Sequence, residues 1–491
     1  MPGVFSKEAR PVRPGAYFDW AAEPVETILP SIGSVVLLGI VHDWGPAEQV
    51  TPTVSLGDFQ SKFGSSNTPG YRAVKQAFKG EGLQGRGGAG EVLVYRITGA
   101  SGAAASADVQ NTTPATALTL TAKYPGSFGN NIGYKSHADV DVTKNDFLIY
   151  VNGQFVETYT YDKADIQGLV DQINATSVWV SATLGIDGTA LPTTASPDVI
   201  TPLATGDDGS TLVQQDWQDL ITACSSARFS LFAAFDLIDP TTLTSLQQWC
   251  QQSNLGGRRF MLVVGGGTGD TATTAIARST TLEAMSSGGG GENIVNVGVG
   301  TLIDNEFGEL STSQLAPRIA GILAARGESM SLTFARLADT VAGVLPSDSD
   351  VTACFNGGVV VFGQDSNQAS PIRVEKGLTT YTGGDSTKPY LIYRNPKFVR
   401  TMHGIELDIT EWSTSNAIGS LQVNDATRAY VVGYAHQVIQ SRADRGVIQS
   451  GFSVGIDPIP PPTDDDEFIA LVYGIAFGRS VEQIFNLVYI S

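Results

Sequence analysis

The chain of 491 residues is poor in charge: Asp, Glu, Lys and Arg make up 16% of it, against roughly 25% in ordinary soluble proteins. Much of its surface is therefore neutral. It has three cysteines, Cys224, Cys250 and Cys354, too far apart for a zinc knuckle or a CxxC pair, and an odd number closes no disulfide framework. A reducing cytoplasm is the expected folding compartment. The four histidines, His42, His137, His403 and His436, show no HExxH or other ligand spacing. Long apolar runs are missing too. The longest strongly apolar stretch, Val35 to Val41, falls far short of the roughly 20 residues that span a bilayer. The opening MPGVFSKEARPVRPG lacks the apolar core of a signal peptide. Neither secretion by such a peptide nor membrane insertion is expected.

Positive charge is also in short supply. With 30 basic and 49 acidic residues the net charge is -19, so the footprint that phosphate neutralisation demands is absent. Direct nucleic-acid binding is not expected. What the chain does have is apolar residues, 42%, and 55 glycines. A large interior and many turns follow, and the length suggests about three domains at roughly 150 residues each.

Residues 1–30 hold Pro2, Pro11, Pro14, Pro24 and Pro30 and read as an extended arm, because proline excludes helix at its own position and biases the residue before it to extended conformations. Residues 31–99 read as a small α/β unit: strand Ser34 to Val41, helix Pro69 to Lys79, a glycine-rich loop, and strand Glu91 to Ile97. We take them as the first part of an inner α+β domain. Residues 100–205 read as short β segments in an inserted sandwich or barrel, with Asn152-Gly153 as the strongest hairpin signal. In 206–384, strands Phe229 to Ile238, Arg259 to Val264 and Asn293 to Val299 alternate with helices Thr241 to Gln252, Thr271 to Met285 and Ser313 to Arg326. That pattern predicts a doubly wound, mostly parallel sheet. Residues 385–491 are expected to return to the inner domain with a long helix, capped by Asn424 and ended by Arg442 and Arg445 before Gly446, and then strands. Tyr430, Tyr434 and Val438 form one apolar stripe on that helix.

Chemical motifs are sought with little return. Gly451 to Gly455 (GFSVG) matches GxSxG, but prolines follow at once where a nucleophile elbow needs a helix, and no histidine lies downstream of Ser453. The run Val264 to Asp270 (VGGGTGD) leaves a strand and enters a helix. Asp270 stands where a dinucleotide fingerprint wants glycine, and no GK dipeptide forms a Walker A loop. Asp236, Asp239, Asp270 and Asp304 fall near the carboxyl ends of the strands, where carboxylates hold Mg²⁺ or Ca²⁺. They are equally suited to capping helices. On these aspartates rests the alternative reading, a metal-dependent hydrolase or phosphotransfer enzyme. Asp464 to Glu467 reads as a solvated acidic loop.

An ordered set of local motifs resembles the tail sheath proteins of contractile bacteriophage tails and related injection machines. Arg13-Pro14-Gly15-Ala16-Tyr17 is similar to the family's RPGxY arm. Gly45-Pro46, Phe59 to Gly64 (FQSKFG), Tyr124 to Asn130 (YPGSFGN), Leu203 to Gly209 (LATGDDG), Lys376 to Thr380 (KGLTT) and Ser480 to Ile484 (SVEQI) follow in family order, with Thr205 in place of a glycine and Ser480 in place of a proline. The resemblance implies a multidomain α/β subunit whose middle domain is subtilisin-like without catalysis, needing no cofactor and no metal. It implies a homo-oligomer of six-subunit rings stacked helically around a tail tube protein, with baseplate and tail terminator proteins as partners. The assembly would be a virion tail built in the host cytoplasm. The arms that knit subunits would include Arg13, Pro14, Gly15 and Tyr17 at one end and Ile484, Phe485, Leu487, Val488, Tyr489 and Ile490 at the other. The alternation of that last strand leaves both faces apolar, which fits strand addition to another sheet. Arg428, Arg442 and Arg445 are expected on a tube-facing helix.

Overall fold

A computed structural model of the chain describes residues 34–480 apart from 83–86, 113–114, 187–190, 192–198, 210–211, 285–289, 365–370, 384–387 and 458–467. β1 (Val35–Ile40) and β3 (Glu91–Arg96) pair in parallel, Val36 beside Val92 and Leu38 beside Val94. Their near-continuous apolar sequences fit strands covered on both faces. Between them come β2 (Val50–Thr53), antiparallel to β3, and the helices α1 (Leu56–Phe63) and α2 (Pro69–Lys79). Each helix starts at a hydroxyl cap, Ser55 accepting from the amide of Asp58 and Thr68 from that of Tyr71. Pro69 stands at the first helical turn, where its missing donor costs nothing.

The next segment builds two antiparallel sheets and one helix. One sheet holds β4 (Ser106–Gln110), β5 (Thr116–Ala122) and β9 (Val180–Leu184). The other holds β6 (Ile132–Ala138), β7 (Lys144–Val151), β8 (Gln154–Asp162) and β10 (Thr201–Pro202). Leu118 and Leu120 from the first, Phe147 and Ile149 from the second, and Ile166 and Leu169 of α3 (Ile166–Thr176) share one core. Asn152 and Gly153 turn β7 into β8 at φ 52° and 76°, the left-handed pair that a two-residue I′ turn requires.

The chain then runs through α4 (Gln214–Ala223), β11 (Leu231–Ala233), α5 (Pro240–Leu255), β12 (Met261–Gly265), α6 (Ala272–Ala284) and β13 (Ile294–Val297). It continues with β14 (Thr301–Asp304), β15 (Gly308–Ser311), α7 (Thr312–Arg326), β16 (Arg336–Leu337), β17 (Thr340–Val344), α8 (Asp348–Asn356), β18 (Val359–Val360), β19 (Phe362–Gly363) and β20 (Ile372–Val374). β14, β15 and β17 form one small sheet, and β16, β19 and β20 another. Among the described residues the principal sheet has seven strands in the order β18-β13-β12-β11-β1-β3-β2, all parallel except β2. Successive residues feed opposite faces: Val36, Leu231 and Val263 pack with α2 and α7, while Leu37, Phe232 and Leu262 pack with α4 and α5.

This topology joins residues 31–99, expected as the first part of an inner α+β domain, to the strands of 206–384 in one sheet. β1 lies at the middle of the principal sheet, hydrogen-bonded to β11 on one side and β3 on the other. α2 packs so closely on α7 that a Cβ at Gly321 would run into the carbonyl of Ala77. The two helices are further tied by Lys79 and Arg318, which both meet Asp304 and Asp339.

After β20 come α9 (Tyr390–Tyr393), α10 (Pro396–Asn416), α11 (Asp425–Asp444), β21 (Ser453–Ile456) and β22 (Leu471–Gly474). Where one long helix is expected there are two. Asn424 caps α11 through the amide of Thr427, and Gly446 follows its end at φ 70°, as its sequence predicts. Asn395 and Pro396 start α10 by the same devices.

Candidate functional site

The residues singled out for chemistry are drawn into structural roles. Ser453 opens β21, paired antiparallel to Gly474 of β22, so a strand follows where an elbow needs a helix. Asp239 caps α5 by accepting from the Thr242 amide at 2.8 Å. Asp270 is held by Arg278 at 2.7 Å, and Asp236 sits at φ 52° after β11. Asp304 accepts from Lys79 at 2.8 Å; burial alone would raise its carboxyl, but Lys79 and the neighbouring donors hold it below the usual range. Among the described residues no three His, Cys, Asp or Glu side chains gather as metal ligands. The glycine run after β12 serves close packing. The amide of Gly266 donates to Thr312 Oγ1 at 2.9 Å, and a Cβ on Gly265 would strike the start of α7. His403 is held neutral: burial, then Arg259 and Arg400, push its pKa down to about 3.

Several of the resemblance motifs meet at one point. Arg96, at the end of β3, is fully buried and donates to the carbonyls of His42 at 2.8 Å, Gly45 at 2.7 Å and Pro125 at 2.6 Å. Burial pulls its guanidinium down to about 10, against the pull of Asp208, Asp43 and Glu48. Beside it, Gly126 at φ 133° lies against the Asp43 carbonyl. Asn130 exchanges two hydrogen bonds with Gly206, at 2.8 and 3.0 Å, and Asp208 accepts from the amide and hydroxyl of Ser127. The YPGSFGN and LATGDDG motifs are thus two halves of one clasp where the β-rich module joins the principal sheet. Thr205 occupies its glycine-like position at φ 68°, a strained conformation for a β-branched residue. Sequence reading passed over Arg96; a lone arginine closing an apolar strand was the available signal.

The far end of the molecule is built differently. Trp412 of α10 stacks on Tyr434 of α11, ring centroids 4.1 Å apart, and Asp408 meets Arg442 at 2.6 Å. The helices therefore run antiparallel, with Tyr430 and Tyr434 both against Trp412 and Val438, the next residue of that stripe, fully buried. Arg442 corrects an expectation. Its side chain is wholly buried and donates to Glu328 at 2.9 and 3.0 Å as well as to Asp408, so it faces the subunit's interior rather than a tube. Burial would lower its pKa, but Glu328 and Asp408 reverse that and raise it. Gly404 makes room for the pair, since a Cβ there would collide with the Glu328 carboxylate. Arg428 and Arg445 remain at the surface, each 3.8 Å from a carboxylate, of Asp425 and Glu328 respectively.

β21 and β22 form a two-stranded sheet lying on Ile405, Ile439 and Val447 through Val454 and Tyr473. Val472, next to Tyr473, faces away from that cluster, and both it and Ile456 at the end of β21 are exposed. Among the described residues both outer edges of this hairpin lack a partner strand. The expected linking residues Arg13, Pro14, Gly15, Tyr17, Ile484, Phe485, Leu487, Val488, Tyr489 and Ile490 lie outside the described residues.

No family model matches the chain, and no curated protein matches it in sequence. Solved structures do match in shape. The crystal structure of a sheath tail protein from Desulfitobacterium hafniense is 20% identical and aligns over 94% of this chain and 100% of that one, with a TM-score of 0.69. A sheath tail protein from Listeria innocua is 20% identical over 92% of this chain and 96% of its own, at 0.64. The anti-feeding prophage helical sheath in its contracted state is 13% identical over 98% and 100%, at 0.53. From the principal sheet to the terminal hairpin, this chain has the fold of the sheath tail proteins.

Proposed function

We propose that the chain is the structural subunit of a contractile tail sheath, polymerising as a helical tube of stacked six-subunit rings around a tail tube and contracting to drive that tube through a host envelope. The observation that carries this reading is the shared fold over 94% of the chain with a sheath tail protein. A likeness that spans the sheet, the inserted module and the terminal hairpin concerns the whole subunit, not one widely reused domain. The hairpin supports it: a two-stranded sheet is marginal by itself, and its open edges suit strands supplied by the arms of neighbouring copies. Arg13 to Tyr17 and Ile484 to Ile490 are those strands in this reading. The principal sheet is then a subtilisin-like body that carries no catalysis, with partners limited to further copies, a tail tube protein, and baseplate and terminator proteins at the ends.

Electron microscopy of the purified chain tests the proposal. Tubes or stacked rings are expected. Discrete particles at every concentration and salt, alone or with a tube protein, would overturn it.

A further inference from the structure

A groove of about 370 Å³ runs between α10 and the amino ends of three parallel strands. Val35 at the start of β1, Phe229 just before β11, and Leu407 supply its apolar lining. On the α10 side Leu407, Thr410, Glu411 and Thr414 follow at helical spacing, so one face of the helix forms that wall. On the sheet side stand Arg228, Arg258 and Arg259. Arg228 meets Glu411 at 3.0 Å and Arg259 meets Glu406. Arg258 spends its donors on the carbonyls of Cys224, Ser225 and Ala227, stacks on Phe229, and has no carboxylate partner among the described residues. Three cations against two carboxylates leave the groove basic.

We propose that this groove seats the chain's own segment Glu26 to Ile32, anchoring the amino-terminal arm to its subunit before the arm leaves it. Continuity is the first argument. Val35 lines the groove and is only two residues beyond Gly33, so the amino end of β1 opens on the groove. Charge is the second: between Pro14 and Ser34 stand Asp19, Glu23 and Glu26 and not one lysine or arginine. Size is the third. The wall from Leu407 to Ser415 is about 13 Å long at 1.5 Å per helical residue, which takes about four extended residues at roughly 3.3 Å each, the length of Leu29 to Ile32, with Glu26 to Ile28 continuing past its end. Leu29 and Ile32 supply side chains for the apolar lining, and Pro30 favours an extended course. Of the three carboxylates Glu26 is the one nearest in sequence to that seat, and the one offered to the arginines. Seated in this way, the arm would couple α10 mechanically to the principal sheet at the point where any pull from a neighbouring subunit arrives. The seat does not depend on sheath assembly and is tested on single subunits.

The test uses the full chain with Leu29→Cys and Thr410→Cys, at a dilution where it is monomeric, in a mixture of isotopically heavy and light copies. The native cysteines are all buried, so a short bismaleimide reports on the new pair. Linked peptides drawn from one copy are the expected result. Heavy-light links would show a neighbour's arm in the groove, and free thiols that label singly without linking would show an empty groove; either overturns the proposal. A second variant guards against a misfolded pair. Glu26→Lys should speed protease cleavage of the arm roughly two- to fivefold, the range of one exposed ion pair, and adding Arg228→Glu should restore the slow rate. A Glu26→Lys chain cut no faster than its parent counts against the seat.

Discussion

The principal sheet and the terminal hairpin are both strands on helices, yet they finish in opposite conditions. In β12 all five residues are buried, and each side of the strand is bonded to a neighbour. In β22 none of the four residues is fully buried, and the ladder on one side is empty among the described residues. The sheet has helices over both faces and needs nothing further. The hairpin has helices beneath it, exposed Val472 above it, and among the described residues no partner strand along its outer edges. Cohesion of the subunit and incompleteness of the subunit are thus kept in separate places. If that division is real, substitutions in the body should cost stability, and substitutions at the end should cost assembly.

The heaviest cost is expected where the two regions are bolted together. Arg442→Met removes a cation that Glu328 and Asp408 share while leaving both carboxylates buried. Breaking a buried pair from one side costs about 3–5 kcal/mol. Urea titration should show a matching fall, with α10 and α11 losing protection from hydrogen exchange before the principal sheet does. Loss of the two regions together would show that they form one cooperative unit and would remove the contrast.

Removal of the inserted module comes next. Gly99 N donates to Gly209 O at 3.0 Å, so the two ends of the insertion already touch and residues 100–208 can be cut out with Gly99 joined to Gly209. The remaining body should fold. It should also be weaker by about 1–3 kcal/mol, because Arg96 loses the Pro125 carbonyl and a buried donor is left unmet. Circular dichroism and a denaturant midpoint would show it. A chain with no cooperative transition would mean that the clasp is part of the body's core.

How much of this was legible in advance depends on range. Helix α2 and the turn at Asn152-Gly153 follow from residues within a few positions of each other, and the structure has both where the sequence puts them. The alternation from β11 to α7 was readable in outline: the strand expected over Phe229 to Ile238 is only Leu231–Ala233, and β14 and β15 come before α7 where none was expected. The partner of β1 was not: VVLLGI announces a strand buried on both faces, but nothing local says that β11, nearly 200 residues on, lies beside it. Arg442 failed for the same reason. A basic residue in the last turn of a helix satisfies the dipole and looks solvated, whereas its real partner Glu328 is 114 residues away. α10 was blurred by β-branched residues and by Gly404, all poor helix formers. Its Asn395-Pro396 start was nonetheless visible.

A smaller effect separates the regions by pH. His403 on α10 is buried with a pKa of about 3, while an unfolded histidine titrates near 6.5. Between those values the unfolded chain binds the extra proton, so stability is full above about pH 6.5 and declines as pH falls towards 3. The slope from this group is at most about 1.4 kcal/mol per pH unit. His403→Gln should flatten the dependence of the urea midpoint on pH by that amount. Parallel curves for the two chains would show that His403 is solvated.

The smallest cost to the subunit, and the largest to assembly, is expected at the end itself. Val472→Ser alters an exposed hairpin residue and should move the unfolding midpoint within about 0.5 kcal/mol, whereas Leu262→Ala in β12, at a fully buried position, should cost about 2–5 kcal/mol. Leu487→Pro carries the comparison further. Proline deletes one ladder donor and is refused by the interior of a sheet. If Leu487 belongs to a strand that completes a neighbour's hairpin, the variant keeps its circular dichroism spectrum and its unfolding midpoint, and sediments as a single subunit where the parent chain forms tubes. If the midpoint falls as far as it does for Leu262→Ala, the last strand serves its own subunit. The open hairpin would then be closed from within, and the division between a finished body and an unfinished end would fail.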